Sequence, residues 1–163
     1  MSPFRPDIVA IWVFRITGGI PEMLVLRRSP GRILAGLWQC VTGFVEADER
    51  VASGALRELL EETGLGLGDV EAFYDLDMVN LFHEPSVDGV YSEAVFAVRV
   101  GDGATPTLST EHDELRWVRP EEASALTVWP AYRTAIERIA SDLVDPDRAT
   151  WFELTLDGSR RAR

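Results

Sequence analysis

After Gly43 the apolar pattern of this chain switches from short strand-like runs to the spacing of a helix, and that switch constrains the fold more than any other feature. Val51, Ala52, Ala55, Leu56, Leu59 and Leu60 mark one buried stripe, and Gly64 stands where a C-terminal cap would close the helix. Arg57, Glu58, Glu61 and Glu62 fall on a charged arc across from that stripe. Strands flank this helix on both sides. Residues 8–14 and 23–26 read as a hairpin around the turn cluster Thr17, Gly18, Gly19 and Pro21, and residues 37–41 as a third strand running into Gly43. Residues 70–79, 91–100 and 115–118 are further strands; the unbroken apolar run from Ala94 to Val98 indicates a mixed or partly buried sheet. Pro120 with Glu121 and Glu122 opens a short helix, and Tyr132, Ala135, Ile136, Ile139 and Leu143 trace the apolar face of a longer one. The expectation is an α/β fold, a sheet closed by helices. Residues 146–163 add an extension with Trp151, Phe152, Leu154 and Leu156 in a strand-like pattern, then a basic, frayed tail.

A chain of 163 residues, 46% hydrophobic, holds one compact domain, 1–163, with a real core. No stretch approaches the roughly 18 to 20 apolar residues that span a bilayer, and residues 1–7 lack the regions of a signal peptide, so a soluble cytoplasmic protein without membrane contact is expected. Cys40, the only cysteine, leaves no intrachain disulfide and no multi-cysteine zinc site; lying in an apolar run without a nearby histidine, it reads as core. With 27 acidic against 16 basic residues, the net charge of -11 repels polyanions. Nucleic acid is therefore a poor partner, whereas a small phosphorylated ligand fits if metal ions bridge it to carboxylates. Self-association as a homodimer is compatible with such a domain.

Glu58 and Glu62 are like charges at i and i+4, a pairing that costs a helix roughly 0.2 to 0.5 kcal/mol when nothing neutralises it. A hard divalent cation would neutralise it, and Mg²⁺ takes oxygen ligands while keeping open positions for phosphates. A solvated acidic face is the ordinary reading of a Glu-rich helix. The spacing overturns it: Gly43, Glu49, Arg57-Glu58-Leu59, Glu61-Glu62 and Gly64-Leu65 match Gly-x5-Glu-x7-Arg-Glu-U-x-Glu-Glu-x-Gly-U at every position, U being apolar. Seven fixed positions coincide by chance on the order of once in 10⁸ starts. This segment, 43–65, resembles the Nudix box.

The resemblance implies a Nudix-type α/β/α sandwich with a mixed β-sheet between helices, and a hydrolase using Mg²⁺ or Mn²⁺ to hold a diphosphate. It implies metal roles for Glu58, Glu61 and Glu62 and a structural ion pair between Arg57 and Glu49, with the carbonyl of Thr42 as a further ligand. Glu58, Glu61 and Glu111 are candidates to accept the proton of the attacking water; Glu111, ahead of Trp117, resembles a family position where a loop glutamate approaches the metals. The segments Trp38 to Gly43 with Val45-Glu46, Glu111-His112 to Trp117, and Ala125-Leu126-Thr127 before Trp129 are similar to the dihydroneopterin triphosphate diphosphatase branch. Residues 80–91, with His83, Glu84 and Pro85, fall outside that similarity and would shape a different pocket.

For the substrate, Arg27 and Arg28 could face phosphates, Trp38, Phe82 or Tyr91 could stack on a ring, and His112 could touch a phosphate or base. Neither His83 nor His112 stands at metal-ligand spacing from another histidine or cysteine, and Gly-x-Ser-x-Gly and Gly-Lys-Ser/Thr motifs are absent. The expected reaction is hydrolysis of a phosphoanhydride in a nucleoside or pterin triphosphate, releasing pyrophosphate. Two alternatives stand beside it: a pyrophosphatase for nucleoside diphosphates linked to a sugar or other group, and a non-catalytic nucleotide sensor, against which the intact box argues.

Overall fold

The computed structural model describes residues 3–161. Strands β1 (Ile8–Thr17) and β2 (Ile20–Arg28) form the expected hairpin, with Gly18 and Gly19 at φ 58° and 79°, the left-handed values that two-residue hairpin turns require. The expected third strand is two: β3 (Trp38–Gln39) and β4 (Val41–Phe44). The cause is a change of partner along β1, which pairs with β2 through Phe14 to Thr17 but with β4 through Ile8 to Ile11, so the chain between them must cross from β2 to β1. Helix α1 (Val51–Thr63) ends on Gly64 at φ 69°, whose amide donates to the Leu60 carbonyl.

β5 (Val70–Glu84), β6 (Gly89–Val100) and β7 (His112–Val118) follow, then α2 (Pro120–Leu126), α3 (Pro130–Arg138) with a π-helical turn Ile139–Leu143, α4 (Pro146–Ala149) and β8 (Glu153–Leu154). The strand order is β3-β2-β1-β6-β5-β8, with β4 beside β1 and β7 beside β2. β1 and β6 are parallel and the other pairs antiparallel, so the sheet is mixed.

Alternation along the strands sends side chains to two cores. Val9, Ile11, Val13, Leu24, Leu26, Phe96 and Val98 pack with Ala55, Leu56 and Leu59 of α1. Ala10, Trp12, Phe14, Met23, Val25 and Val95 pack on the opposite face with Ala123 of α2 and Tyr132, Ala135, Ile136 and Ile139 of α3 and its turn. The result is an α/β/α sandwich, and among the described residues no helix is long and apolar enough to cross a membrane.

Three local expectations change. Leu60 is 52% exposed while Glu62 is 4% exposed, because α1 is rotated so that its carboxylate arc borders the core. Residues 80–91 are two arms of one hairpin closed at 85–88: β5 bulges between Asp75 and Val79, and Arg138 holds the bulge by donating to the carbonyls of Leu76 and Asp77 at 2.6 and 3.0 Å. The tail is held as far as Arg161: Arg160 pairs with Asp75 at 3.1 Å and Arg161 with Glu153 at 3.3 Å. The last two residues lie outside the described part.

Candidate active site

The box gathers Glu49, Glu58 and Glu61 around one guanidinium. Arg57 donates through Nε to Glu49 Oε1 at 2.9 Å and through Nη2 to Glu49 Oε2 at 3.0 Å, a two-pronged pair of matched planar groups. Its Nη1 reaches Glu58 Oε1 at 2.7 Å and Glu61 Oε2 at 3.2 Å, and Nη2 also donates to the Phe44 carbonyl at 3.0 Å. Arg57 thus joins the loop before α1, the end of β4 and the helix face. The Arg57 hydrogen bond holds the Glu49 carboxyl below its usual range.

Glycine is required where these groups crowd the backbone. A Cβ at Gly43 would overlap the Glu58 carboxylate, and one at Gly54 would come within 2.8 Å of Glu49 Oε2. Arg5 clamps the same loop from outside the box, donating to the carbonyls of Glu46, Ala47 and Glu49. Its distance along the chain left no periodic or motif signal by which sequence reading could find it.

The charge of Glu111, carried on the loop before β7, acts on Glu62 across the fold. Burial pushes the Glu62 carboxyl up to about 8, and Glu111 and then Glu58 add to the shift, against Arg28 and the backbone amide of Thr42. Burial likewise raises Glu58, with Arg57 opposing and Glu61 and Glu111 adding. The loop carrying Glu111 is fixed by its carbonyl, which accepts from the Ser29 amide at 2.9 Å, and by Ser109 Oγ, which accepts from the Glu111 amide at 3.3 Å. His112 does not face outward to meet a phosphate or base. Its side chain is fully buried, with Nδ1 3.6 Å from Glu62 Oε2 and Nε2 3.4 Å from Gln39 Nε2. Burial, reinforced by Arg28, lowers its pKa to about 4, so a neutral imidazole backs Glu62.

The remaining residues expected at the substrate divide. Arg27 is engaged at the surface, its Nε 2.8 Å from Asp113 Oδ1 and its Nη1 2.8 Å from Glu114 Oε2. Trp38 lies half-buried against the α3-side core with the Arg116 guanidinium 4.7 Å from its ring centroid, so an arginine already occupies it. Arg28 is different: only Nε is bonded among the described residues, to the Ile33 carbonyl at 2.7 Å, and its charge acts on Glu62 and His112. Phe82 and Tyr91 sit together on the β5–β6 hairpin, their centroids 6.1 Å apart.

Among the described residues no three acidic, histidine or cysteine side chains close on a common point, since Arg57 holds Glu58 and Glu61. The donor set nevertheless fits a hard divalent cation. Its side chains are carboxylates, Glu62 Oε2 is buried without a hydrogen-bond partner, and Glu111 and Glu58 both raise Glu62. Those are the charges and lone pairs that such a cation takes up.

The sign of the Glu62 shift sets a stability experiment. A carboxyl raised from 4.5 to about 8 stabilises the fold fully below pH 4.5 and loses that contribution as pH rises through 8. The His112 shift, depressed from 6.5 to about 4, acts only below pH 6.5. In chelator, the melting temperature should therefore fall between pH 6.5 and 8, and millimolar Mg²⁺ or Mn²⁺ should oppose the fall. A metal-free melting temperature that is flat there, or an equal metal-induced gain in Glu58→Gln/Glu62→Gln, would take the cation away from this helix.

A family model described as NUDIX domain matches residues 4–139. An RNA pyrophosphohydrolase from Dinoroseobacter shibae is 30% identical over 156 residues, covering 82% of this chain and 94% of that protein. An octanoyltransferase from Myxococcus xanthus is 36% identical over 132 residues, 80% of this chain, and the chain spans only 35% of that protein's length. A solved structure of a NUDIX hydrolase from Listeria monocytogenes matches with a TM-score of 0.72 at 32% identity, over 85% of this chain and 94% of the other. The E. coli dihydroneopterin triphosphate pyrophosphohydrolase shares the fold with a TM-score of 0.70 at 23% identity, over 83% of this chain and 95% of the other.

Proposed function

The chain belongs to the NUDIX family and is a hydrolase of pyrophosphate-bearing substrates; from that premise we propose that it cleaves a nucleoside or pterin triphosphate into a monophosphate and inorganic pyrophosphate. The observation that carries this reading is the carboxylate cluster itself: burial and the charge of Glu111 raise both Glu58 and Glu62 of α1, Glu58 adds to the shift of Glu62, and Glu62 Oε2 stays unpartnered. Members of the family generally use divalent metals, and here Glu58, Glu61, Glu62, the Thr42 carbonyl and Glu111 would hold them. When bound, such a cation supplies countercharge to the diphosphate oxygens and polarises a water.

The protein's own groups do the rest. Arg57, fixed on Glu49, orients Glu58 and Glu61; His112, wedged against Gln39, packs beside Glu62. The two Nη groups of Arg28 would donate to phosphate oxygens. Glu111 takes the proton of the attacking water as its oxygen bonds to phosphorus; the anhydride P–O bond breaks, and its electron pair leaves with pyrophosphate. The relatives named for pyrophosphate removal from RNA and from dihydroneopterin triphosphate support a triphosphate. The net charge of -11 favours the small ones over RNA.

Product analysis by anion exchange and ³¹P NMR with Mg²⁺ or Mn²⁺ tests this. Triphosphates should yield pyrophosphate and a monophosphate. Cleavage confined to sugar-linked nucleoside diphosphates, giving two phosphorylated organic products, would replace this reading with the pyrophosphatase one; no turnover of either class would leave a nucleotide-binding domain.

A further inference from the structure

We propose that Glu93 and Asn80, beside the aromatic cluster of Phe44, Tyr91 and Phe82, recognise the shared amino–oxo edge of a guanine (2-amino-6-oxo) or pterin (2-amino-4-oxo) ring, Glu93 being the residue that selects the heterocycle. The proposal rests on the triphosphate reading above and names its substrate class.

The register puts these residues in line. Phe44 pairs with Ile8, Ile8 with Glu93, and Glu93 with Asn80, a row running across β4, β1, β6 and β5. Directly paired residues share a face, here the α3 side. In the adjoining row Phe82 pairs with Tyr91. Tyr91 stands edge-on to Phe44, with centroids 5.4 Å apart at 80°, and Phe82 lies beyond it at 65°. Phe44 is 59% exposed, which leaves ring surface for an incoming aromatic plane. It also follows Gly43, against which the Glu58 carboxylate packs from the opposite face, so the aromatic row and the glutamates meet at the same end of β4 from its two sides. Strands lie about 4.8 Å apart, which puts Glu93 roughly 10 Å across the sheet from Phe44.

Glu93 is out of place in its strand. Val95 and Ala97 on the same face are apolar core, yet Glu93 is 4% exposed, and among the described residues only the Asn80 amide donates to it, at a long 3.4 Å. A buried carboxylate so sparsely bonded costs stability unless a ligand completes it. Cys40 and Tyr132, both buried, feel its charge from α3 and the β3–β4 junction. Burial raises the Glu93 carboxyl, and N–H donors from a ligand would favour the ionised form. A carboxylate accepts two parallel N–H groups, and an amide beside it donates to a carbonyl. Guanine and pterins present that complement on one edge: an exocyclic amino group, a ring N–H and an oxo group. Adenine offers an acceptor where the ring N–H should be and leaves Glu93 unpaired.

Binding of GMP, neopterin, IMP and AMP, measured by calorimetry, needs no turnover and so separates this proposal from the hydrolytic one. GMP or neopterin should bind wild type at least tenfold more tightly than AMP, with IMP, which lacks the amino group, in between. The stronger of the two identifies the source of the edge. Glu93→Gln should bring the ratio to AMP close to one with an unchanged circular dichroism spectrum; Asn80→Ala, at a half-buried position, should weaken GMP binding should Glu93→Gln disturb folding. Equal binding of GMP, neopterin and AMP to wild type, or a preference surviving in Glu93→Gln, would overturn the proposal even if triphosphates are hydrolysed. A preference lost in Glu93→Gln, in a protein that hydrolyses no triphosphate, would sink the hydrolytic reading and leave this one standing.

Discussion

Glu62→Gln should lower kcat by at least about a thousandfold and at the same time raise the melting temperature of the metal-free protein at pH 8. Both effects come from one buried carboxyl. Glutamine keeps the shape of Glu62, the contact with His112 and the helix, but removes the charge that burial, Glu111 and Glu58 disfavour. In chelator the folded state is relieved of that charge, so stability rises where the wild-type carboxyl would begin to ionise. In the presence of Mg²⁺ the same substitution removes a charged oxygen from the site; a thousandfold in rate corresponds to about 4 kcal/mol at 1.36 kcal/mol per tenfold. Steady-state kinetics paired with thermal melts in EDTA and in Mg²⁺ read both. Near-normal turnover would strip Glu62 of its role, and a lower melting temperature in EDTA would mean that Glu62 is a structural acid.

Glu111→Gln should reduce kcat by about 10² to 10³ with KM changed little. A group that accepts a proton acts in the transition state, whereas a group that merely steadies the bound phosphates would show itself in KM. Glu111 acts on the cluster only through the fold: β7 pairs with β2, the Ser29 amide after β2 holds the Glu111 carbonyl, and the loop's charge is thereby brought to bear on Glu62. A variant in which KM rises and kcat holds would reassign Glu111 to substrate binding.

The sequence carried the box helix well because its information is local. Residues 43–65 declare a helix, its cap and its carboxylates at fixed spacings, and the Arg57–Glu49 pair lies within the same window. What it could not declare was rotation. Helical spacing places Glu62 on the charged arc, but whether that arc meets water or the edge of the sheet depends on β4, which is why Glu62 is buried and Leu60 exposed. His112 was legible as a neighbour of Glu111, yet alternation along β7 turns its side chain inward to Glu62 while Glu111 stays in the loop. Trp38 and Arg27 share a strand pair, so their mutual packing and the acids of β7 claim them before any ligand can. Glu93 did leave a trace, one acid at the head of an otherwise apolar run, but its partner Asn80 could be found only once the β5–β6 register was known.

The bulge in β5 has an evolutionary reading. Because Arg138 grips the carbonyls of Leu76 and Asp77, the outer arms of the β5–β6 hairpin take their pose from the end of α3, while the glutamates of α1 take theirs from Arg57, Arg5 and β4. The two anchorages use different arginines and meet where Tyr91 packs on Phe44. Substitutions along residues 78–90 can accordingly drift, and lengthening at the 85–88 turn can be absorbed, with little effect on the carboxylates of the box, so selectivity is free to diversify on a chassis whose chemistry stays constant.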